Sequence, residues 1–236
     1  MNRHYLIYGN KPTIDFDVWI SGSGTFDAPE RDVEMVSIPG RNGDLTFDNG
    51  RFNNIEVRYP AFISNNFTKN MEDFRAYAKS LIGYQRLEDT YHPEQYREAI
   101  LIDGFNPETI ALNRGANFEI VFNCKPQRWL KSGEDYLPDI TGAITIHNPT
   151  YYEAKPFIRV YGPGTFTIGD CRVQITTATE YTDLDCELHD AFHGFDNRNQ
   201  YVKLLSGKFP SLPPGDVLID KGTTTKLQIK PRWYTI

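Results

Sequence analysis

Cysteine is scarce in this chain, and its spacing excludes the commonest structural uses of thiols. The 236 residues include three cysteines, Cys124, Cys171 and Cys186. None of them forms the CxxC spacing of a zinc ligand pair. An odd number of cysteines without that spacing indicates small apolar core residues in a reducing compartment, rather than a disulfide framework.

Long apolar runs are also missing. No stretch approaches the roughly 20 apolar residues of a membrane-spanning helix. The first residues, MNRHYLIYGNKPTIDF, lack the apolar core of a secretion signal. We therefore expect a protein that is made in the cytoplasm and does not insert into a membrane.

Basic residues are in deficit, with 25 Lys and Arg against 31 Asp and Glu and a net charge of -6. No basic run compensates for this deficit, so we expect no specificity for nucleic acid. The chain also lacks a GxSxG elbow, a Walker loop and the kinase motifs. These absences argue against several common enzyme classes, and no feature calls for a cofactor.

Aromatic residues are abundant, at 14% of the chain, and 18 Gly and 15 Pro accompany them. Aromatic and β-branched residues that Gly and Pro interrupt are typical of strands and turns. The sequence therefore predicts a mainly β protein.

One segment has helical periodicity, from Lys69 to Ile82. Apolar residues recur on one face at the spacing of a helix, Thr68 can cap the start, and Gly83 can close the end. This face comprises Met71, Phe74, Ala78, Leu81 and Ile82.

The stretch from Ser37 to Ile63 is dense in turn signals. Gly40 and Gly43 permit the positive φ values of a sharp corner, and Asn49-Gly50 predicts a type I′ hairpin between two strands. Pro60 is expected to end the second strand or to mark an edge. Because charges and aromatic rings accompany these turns without a nucleophile or base, the stretch is typical of a surface that contacts another protein.

The second half of the chain contains no helical pattern. Polar, turn-rich residues 132–141 separate it from the first half, which predicts domains at 1–131 and 142–236 with a linker between them. Eight short strands between 143 and 230, separated by Gly, Pro, Asn or Asp, predict a β-sandwich of jelly-roll or lectin-like type.

Three groups of residues were weighed as catalytic or metal sites. His189 and His193 have the spacing of a helical metal pair but lie in a strand-rich region without the expected glutamate. Asp15 with Asp17, and Asp183 with Asp185, place two carboxylates about 7 Å apart on one strand face. That spacing suits an inverting glycosidase, but it is equally that of a solvated strand face. We therefore expect no catalytic residue, no metal ligand and no enzyme activity.

Four segments together carry a family resemblance. They are SIPGRNGDL at 37–45, FNCKPQRWL at 122–130, FPSLPPGDVLI at 209–219 and LQIKPRWYTI at 227–236. In order and spacing they resemble the distal tail proteins of siphovirus-like bacteriophages or prophages, nearly from end to end. The resemblance implies an N-terminal β-rich domain with one α-helix that forms a hexameric ring, and a C-terminal galectin-like β-sandwich.

The same resemblance implies a place and partners. The homo-hexamer would sit in the virion at the tail tip after assembly in the host cytoplasm, against the major tail tube protein, the tape measure protein and the tail-associated hub or lysin. DNA would pass through its channel without being read. The turn-rich stretch then becomes a predicted subunit contact, with candidate residues Arg41, Asn42, Asp44, Phe47, Arg51 and Phe52.

The alternative is a carbohydrate-binding adhesin that recognises the host cell wall through the sandwich domain. Some relatives carry an inserted carbohydrate-binding module, and this chain has no long insertion. The residues for sugar stacking would be Tyr151, Tyr152, Phe192 and Tyr201. A hydrolase built on the carboxylate pairs is a third hypothesis.

Overall fold

Strands dominate both halves of the chain. The computed structural model describes residues 3–22, 24–111, 114–178 and 180–236. Internal contacts divide the chain into one unit of Met1–Arg128 with Ile236 and a second unit of Trp129–Thr235. The domain limits predicted from the sequence stay a prediction, although residues of the expected linker lie within the second unit, where Ile140 is buried.

The first unit contains ten strands, one α-helix and a 3₁₀ turn at Thr13–Phe16; these are counts over the residues described above. The last two residues of its tenth strand belong to the second unit. The strands are β1 (Leu6–Tyr8), β2 (Lys11–Pro12), β3 (Val18–Ile20), β4 (Arg31–Val36), β5 (Leu45–Phe52), β6 (Ile55–Ile63), β7 (Gln85–Asp89), β8 (Gln95–Ile100), β9 (Glu108–Ala111) and β10 (Gly115–Leu130).

Most of these strands form one sheet in the order β2-β1-β7-β8-β10-β6-β3, and β9 pairs with the start of β10. A bridge between His4 and Ile20 brings the chain just before β1 against β3, so the sheet curls on itself. The prediction that Pro60 ends regular pairing is wrong. Pro60 lies opposite Glu119 within β6, and its carbonyl accepts a 2.8 Å hydrogen bond from the Ser21 N–H, so the strand lacks a single donor there.

Helix α1 (Phe67–Ser80) covers the inner face of this sheet. Met71, Phe74 and Ala78 are buried, as the periodicity predicts. The Phe74 ring lies 6.4 Å from the ring of Phe118 on β10. Burying a Phe or Met side chain of this kind contributes about 1.5–3 kcal/mol.

Both predicted ends of the helix are displaced. The N-cap position is Asn66, with φ of 44°, and Thr68 lies in the first turn. Leu81 is already extended, so Ile82 falls outside the helix and is 90% exposed rather than buried. In the ranges that the structure covers, no helix is both long and apolar enough to cross a bilayer.

Strands β4 and β5 form a separate antiparallel ribbon. Its turn is residues 37–44, so the prediction of a hairpin at Asn49-Gly50 is wrong. The register between β4 and β5 shifts opposite this dipeptide, where Gly50 has φ of 70° and its N–H donates a 2.8 Å hydrogen bond to Asp48 Oδ1. A positive φ suits a bulge as well as a turn, and here the bulge prevails.

The second unit is a β-sandwich. Its sheets are β11-β19-β13-β14-β18 and β17-β16-β15-β12-β20, and both contribute to one buried core. The strands are β11 (Ala143–Asn148), β12 (Phe157–Tyr161), β13 (Gly164–Ile168), β14 (Cys171–Ile175), β15 (Tyr181–Asp185), β16 (Asp190–His193), β17 (Asp196–Asn197), β18 (Val202–Leu204), β19 (Gly215–Asp220), β20 (Lys226–Lys230) and β21 (Tyr234–Thr235).

The predicted fold class, mainly β with one α-helix in the first half, is confirmed. All eight strands predicted in the second half are present, and β16, β17 and β21 are additional.

Candidate interaction surfaces

One face of the β4–β5 ribbon carries apolar side chains that solvent reaches. The register places Val36 opposite Leu45 and Glu34 opposite Phe47, and side chains that are directly opposite project from the same face. Val36 and Leu45 are each 37% exposed, and Phe47 is 52% exposed. A contiguous exposed apolar group of this kind marks an interaction surface more often than an isolated exposed residue does.

The tip of the ribbon is shaped by two glycines. Gly40 and Gly43 have φ of 82° and 83°, and an added Cβ would meet nothing within 4 Å at either position. The glycines are therefore required for backbone conformation rather than for space. This conformation holds three of the candidate contact residues in solvent, namely Arg41, Asn42 and Asp44.

The base of the ribbon is held by ion pairs within the ribbon itself. Arg31 contacts Asp48 and Arg51 contacts Asp32, each at 2.6 Å, and the Arg31 guanidinium lies 5.2 Å from the Phe52 ring. The hydrogen bond from Arg51 lowers the pKa of Asp32 below its ordinary value. Two of the six candidates, Arg51 and Phe52, thus hold the ribbon together, and the other four face solvent.

A second surface, which sequence reasoning missed, covers the outer side of β12, β15, β16 and β20. Arg159 Nε and Nη2 donate to the two oxygens of Asp183 at 2.7 and 2.8 Å. Arg232 holds Asp185 in the same bidentate manner at 2.7 and 2.9 Å. The hydrogen bond with Asp183 raises the pKa of Arg159, whereas burial opposes it.

Aromatic rings line this surface beside the ion pairs. The Arg159 guanidinium lies 4.0 Å from the Tyr181 ring centroid. Lys226 Nζ lies 4.4 Å from that of Tyr161, and the Phe157 and Phe192 rings are 6.1 Å apart. We call this set the cation–aromatic face; its members are Phe157, Arg159, Tyr161, Tyr181, Phe192 and Lys226.

The other sheet of the sandwich presents a different outer side. Its strands β13 and β14 alternate buried apolar residues with Thr165, Thr167, Arg172 and Gln174, none of which is aromatic. An outer face of this domain can therefore be exposed to solvent without carrying aromatic rings. The alternation of Phe157, Arg159 and Tyr161 along β12 was the one signal in the sequence that could have indicated the cation–aromatic face.

The four residues predicted to stack on sugars lie in three places. Tyr151 is 93% exposed in the loop between β11 and β12, and its neighbour Tyr152 stacks on Tyr234 at 5.5 Å. Phe192 belongs to the cation–aromatic face. Tyr201 lies before β18, beside the Arg198 guanidinium at 5.5 Å. The structure does not gather these residues into one stacking platform.

Of the carboxylates considered as catalytic groups, Asp17, Asp183 and Asp185 are bonded to other side chains, and Asp15 is exposed to solvent. Asp183 and Asp185 each have their own guanidinium. Asp17 ends a 3₁₀ turn instead of lying in a strand, and its carboxylate accepts hydrogen bonds from the Trp19 indole (2.9 Å) and the Asn65 N–H (2.8 Å). Although burial opposes it, these bonds lower the pKa of Asp17. A carboxylate held in its ionised form in this way suits structural rather than acid–base use.

The histidine pair is likewise divided. His193 Nδ1 lies 3.1 Å from the Tyr181 carbonyl oxygen, whereas the His189 ring stacks on Phe209 at 5.1 Å. Over the residues placed by the structure, no group of three or more His, Cys, Asp and Glu side chains could hold a metal ion.

The cysteines are buried and unpaired as thiols. Burial raises the pKa of Cys124 to about 12, and it also raises the pKa of Cys186. The thiols of Cys124 and Cys186 therefore stay protonated at neutral pH, the form in which a thiol is a poor nucleophile.

Comparison with known proteins gives structural rather than sequence matches. No protein-family model and no curated protein sequence matches the chain. The fold is similar to that of the SPP1 Dit protein, described as a paradigm of the hub adsorption apparatus in phages that infect Gram-positive bacteria. That match has a TM-score of 0.73 and 11% identity, and covers 96% of this chain and 97% of the other.

A chain of the phage P2 baseplate, in its activated conformation with Ca, is a second structural neighbour. It matches with a TM-score of 0.50 and 12% identity, over 97% of this chain and 98% of the other. The resemblance to phage distal tail proteins that the sequence indicates is thus confirmed at the level of the fold.

Proposed function

We propose that this chain is a structural protein of a phage tail tip, in which six copies form a ring that joins the tail tube to the hub and adsorption apparatus. The observation that carries the proposal is a fold shared over almost the whole chain with a phage hub protein, at a TM-score of 0.73. The order of four sequence segments supports the same assignment independently. The sandwich would be the galectin-like domain of such a protein.

The ribbon supplies a surface that suits contact between copies. The curled sheet of the first unit pairs its strands with one another, whereas the outer edges of β4 and β5 have no strand beside them among the described residues. Unpaired edges and exposed apolar side chains favour association. In a closed ring each copy covers the same surface of its neighbour, so no edge is left to recruit further chains.

The partners follow from this position. The tail tube and tape measure proteins would contact one side of the ring, and the hub or lysin would contact the other. The proposed role is structural rather than enzymatic: Asp183 and Asp185 serve as ion-pair partners, and the three cysteines are buried. The protein would be located at the tail tip of the virion.

The experiment that tests the subunit contact is a charge reversal at the tip combined with a truncation on the apolar face. Arg41→Glu with Phe47→Ala should abolish the ring in negative-stain images and leave far-ultraviolet circular dichroism unchanged, because both side chains are solvent-exposed. The matched control is Arg75→Glu with Ile82→Ala, a reversal and a truncation at exposed positions near the end of α1. Rings that persist in the ribbon variant would exclude the ribbon as the contact.

A second candidate function is carbohydrate binding by the sandwich, and the cation–aromatic face is the observation that favours it. Partly exposed rings can stack on sugar rings, and guanidinium and carboxylate groups held in fixed positions can bond to hydroxyls. Calorimetric titration with cell-wall polysaccharide tests this function. Binding that is lost in Tyr181→Ala and kept in Tyr151→Ala would support adhesion through this face. No binding by the wild type would remove this function.

A further inference from the structure

The ribbon contains both Asn-Gly dipeptides of the chain, and the charges that flank them mirror each other. Arg41-Asn42-Gly43-Asp44 lies in the tip, and Asp48-Asn49-Gly50-Arg51 lies in β5. An Asn-Gly dipeptide is prone to spontaneous deamidation, because glycine has no Cβ to hinder attack by its backbone nitrogen on the asparagine side chain. With such similar flanks the two sites should react alike in an unfolded chain, so a difference between them in the native protein comes from the fold.

The second dipeptide is restrained by the ribbon. Asn49 and Gly50 both belong to β5, and the Gly50 N–H donates a 2.8 Å hydrogen bond to Asp48 Oδ1. Hydrogen bonding from Arg51, and after it from the Asn49 side chain, lowers the pKa of Asp32 on β4. The attacking nitrogen of Gly50 and the amide of Asn49 must therefore both leave a carboxylate partner before they can react with each other.

The first dipeptide has no comparable restraint. Asn42 and Gly43 lie in the turn between β4 and β5, and both are exposed to solvent. Among the described residues, no backbone carbonyl accepts a hydrogen bond from the Gly43 N–H. An added Cβ at Gly43 would meet nothing within 4 Å, so the space around the dipeptide admits the ring through which deamidation proceeds.

We propose that Asn42 is a site of non-enzymatic deamidation in the folded, unassembled chain, and that the ribbon protects Asn49. The Gly43 nitrogen, which loses its proton to solvent base, forms a bond to Asn42 Cγ. The Cγ–Nδ2 bond then breaks, and ammonia leaves after taking a proton from water. Water opens the resulting cyclic imide at either carbonyl and gives aspartate or isoaspartate, so no oxidant or reductant takes part. Either product adds a negative charge to the tip beside Asp44.

The site does not depend on the proposed role in a tail tip, but that role would determine which chains react. A ring formed through the tip would cover Asn42 and slow the reaction. The test therefore uses free chains, collected at monomeric mass from dilute protein. If the wild type stays assembled on dilution, the variant Arg41→Glu with Phe47→Ala supplies free chains. If this variant also assembles, its contact does not involve the ribbon, and its tip is exposed in the assembly.

Peptide mapping by mass spectrometry during incubation at mildly alkaline pH measures both sites in one sample. We expect Asn42 to deamidate at least ~10 times faster than Asn49 in folded chains, because Asn49 reacts only after local opening of the ribbon. The tip peptide should also become a substrate for a protein isoaspartyl methyltransferase, which recognises the isoaspartate that the imide yields. The same protein in urea is the matched control, in which the two sites should react at similar rates.

Three results would overturn the proposal. The first is an Asn49 that reacts as fast as Asn42 in folded chains. The second is a tip peptide that stays unmodified in free folded chains although it deamidates in urea. The third is a difference between the two sites that is equally large in urea, since that would assign it to the flanking residues and not to the fold.

Discussion

Replacing Asp183 with Asn tests whether the cation–aromatic face depends on its ion pairs for stability. The Asp183 side chain is 4% exposed and that of its partner Arg159 is 27% exposed. Removing one member of a buried pair costs about 3–5 kcal/mol because the other charge is left without compensation. Arg159 can recover part of its hydration at the surface, so we expect about 2–3 kcal/mol for this change.

The expected loss is large enough to measure by calorimetry or circular dichroism. For a unit of this size, each kcal/mol lowers the melting temperature by ~4 °C, so the variant should melt about 8–12 °C lower. Asp139→Asn is the control beside the same sheet, because Asp139, which pairs with Lys226 of β20, is 46% exposed, whereas Asp183 is 4% exposed. The control should change the melting temperature by less than ~1 °C. If Asp183→Asn melts within ~1 °C of the wild type, the buried pair of Asp183 with Arg159 does not stabilise the sandwich.

Three further predictions concern the backbone, the pH dependence and the thiols. Gly222→Ala should destabilise the sandwich by more than ~2 kcal/mol in denaturant titration, because the added Cβ would lie 2.1 Å from a backbone carbonyl oxygen. Gly207 is also at positive φ, but an added Cβ there would meet nothing within 4 Å, so Gly207→Ala should cost about 1 kcal/mol. Burial raises the pKa of Asp185, but hydrogen bonds, first among them those from Arg232, together outweigh it, so the pKa is lowered in the folded state. The contribution of Asp185 to stability is therefore complete above about pH 3.9 and is lost as the pH falls through the folded pKa. Asp185→Asn should therefore reduce stability at pH 7 and flatten its decline in acid, and an unchanged acid slope would refute the linkage. Cys124 should react with a thiol reagent only on unfolding, and rapid labelling of the native protein at pH 7 would contradict its burial.

Local periodicity correctly predicted the helix and strands that are determined by residues close together in the sequence. The inward face of α1 follows from the spacing of Met71, Phe74 and Ala78, and the alternation of Phe118 to Cys124 correctly places that strand against the core. The failures occur where several conformations suit the same residues. Asn49-Gly50 permits a bulge as readily as a turn, and the β4–β5 register decides between them.

The cation–aromatic face shows why a surface is harder to predict than a strand. Arg159 meets Asp183, 24 residues away, and Arg232 meets Asp185, 47 residues away. The pairing of β12 with β15 brings the first two together, and sequence spacing does not contain that register. For the same reason Asp183 and Asp185 read as a carboxylate pair in the sequence, although the fold assigns each to its own arginine.

The sequence predicted the role of the ribbon as a contact surface both from its turn residues and from its lack of catalytic groups. Its turn residues and charges without catalytic groups pointed to a contact surface, and the structure places Phe47 and the tip in solvent. The surface that contacts Phe47 and the tip is determined by the assembly of several chains, so the sequence of a single chain does not predict it.

The mass of the purified protein in solution tests the central claim most directly. Light scattering coupled to size exclusion, across a range of concentrations, should give six times the mass of one chain, because a closed ring is a defined end state. A strictly monomeric mass at the highest concentration would contradict the account of a self-assembling ring.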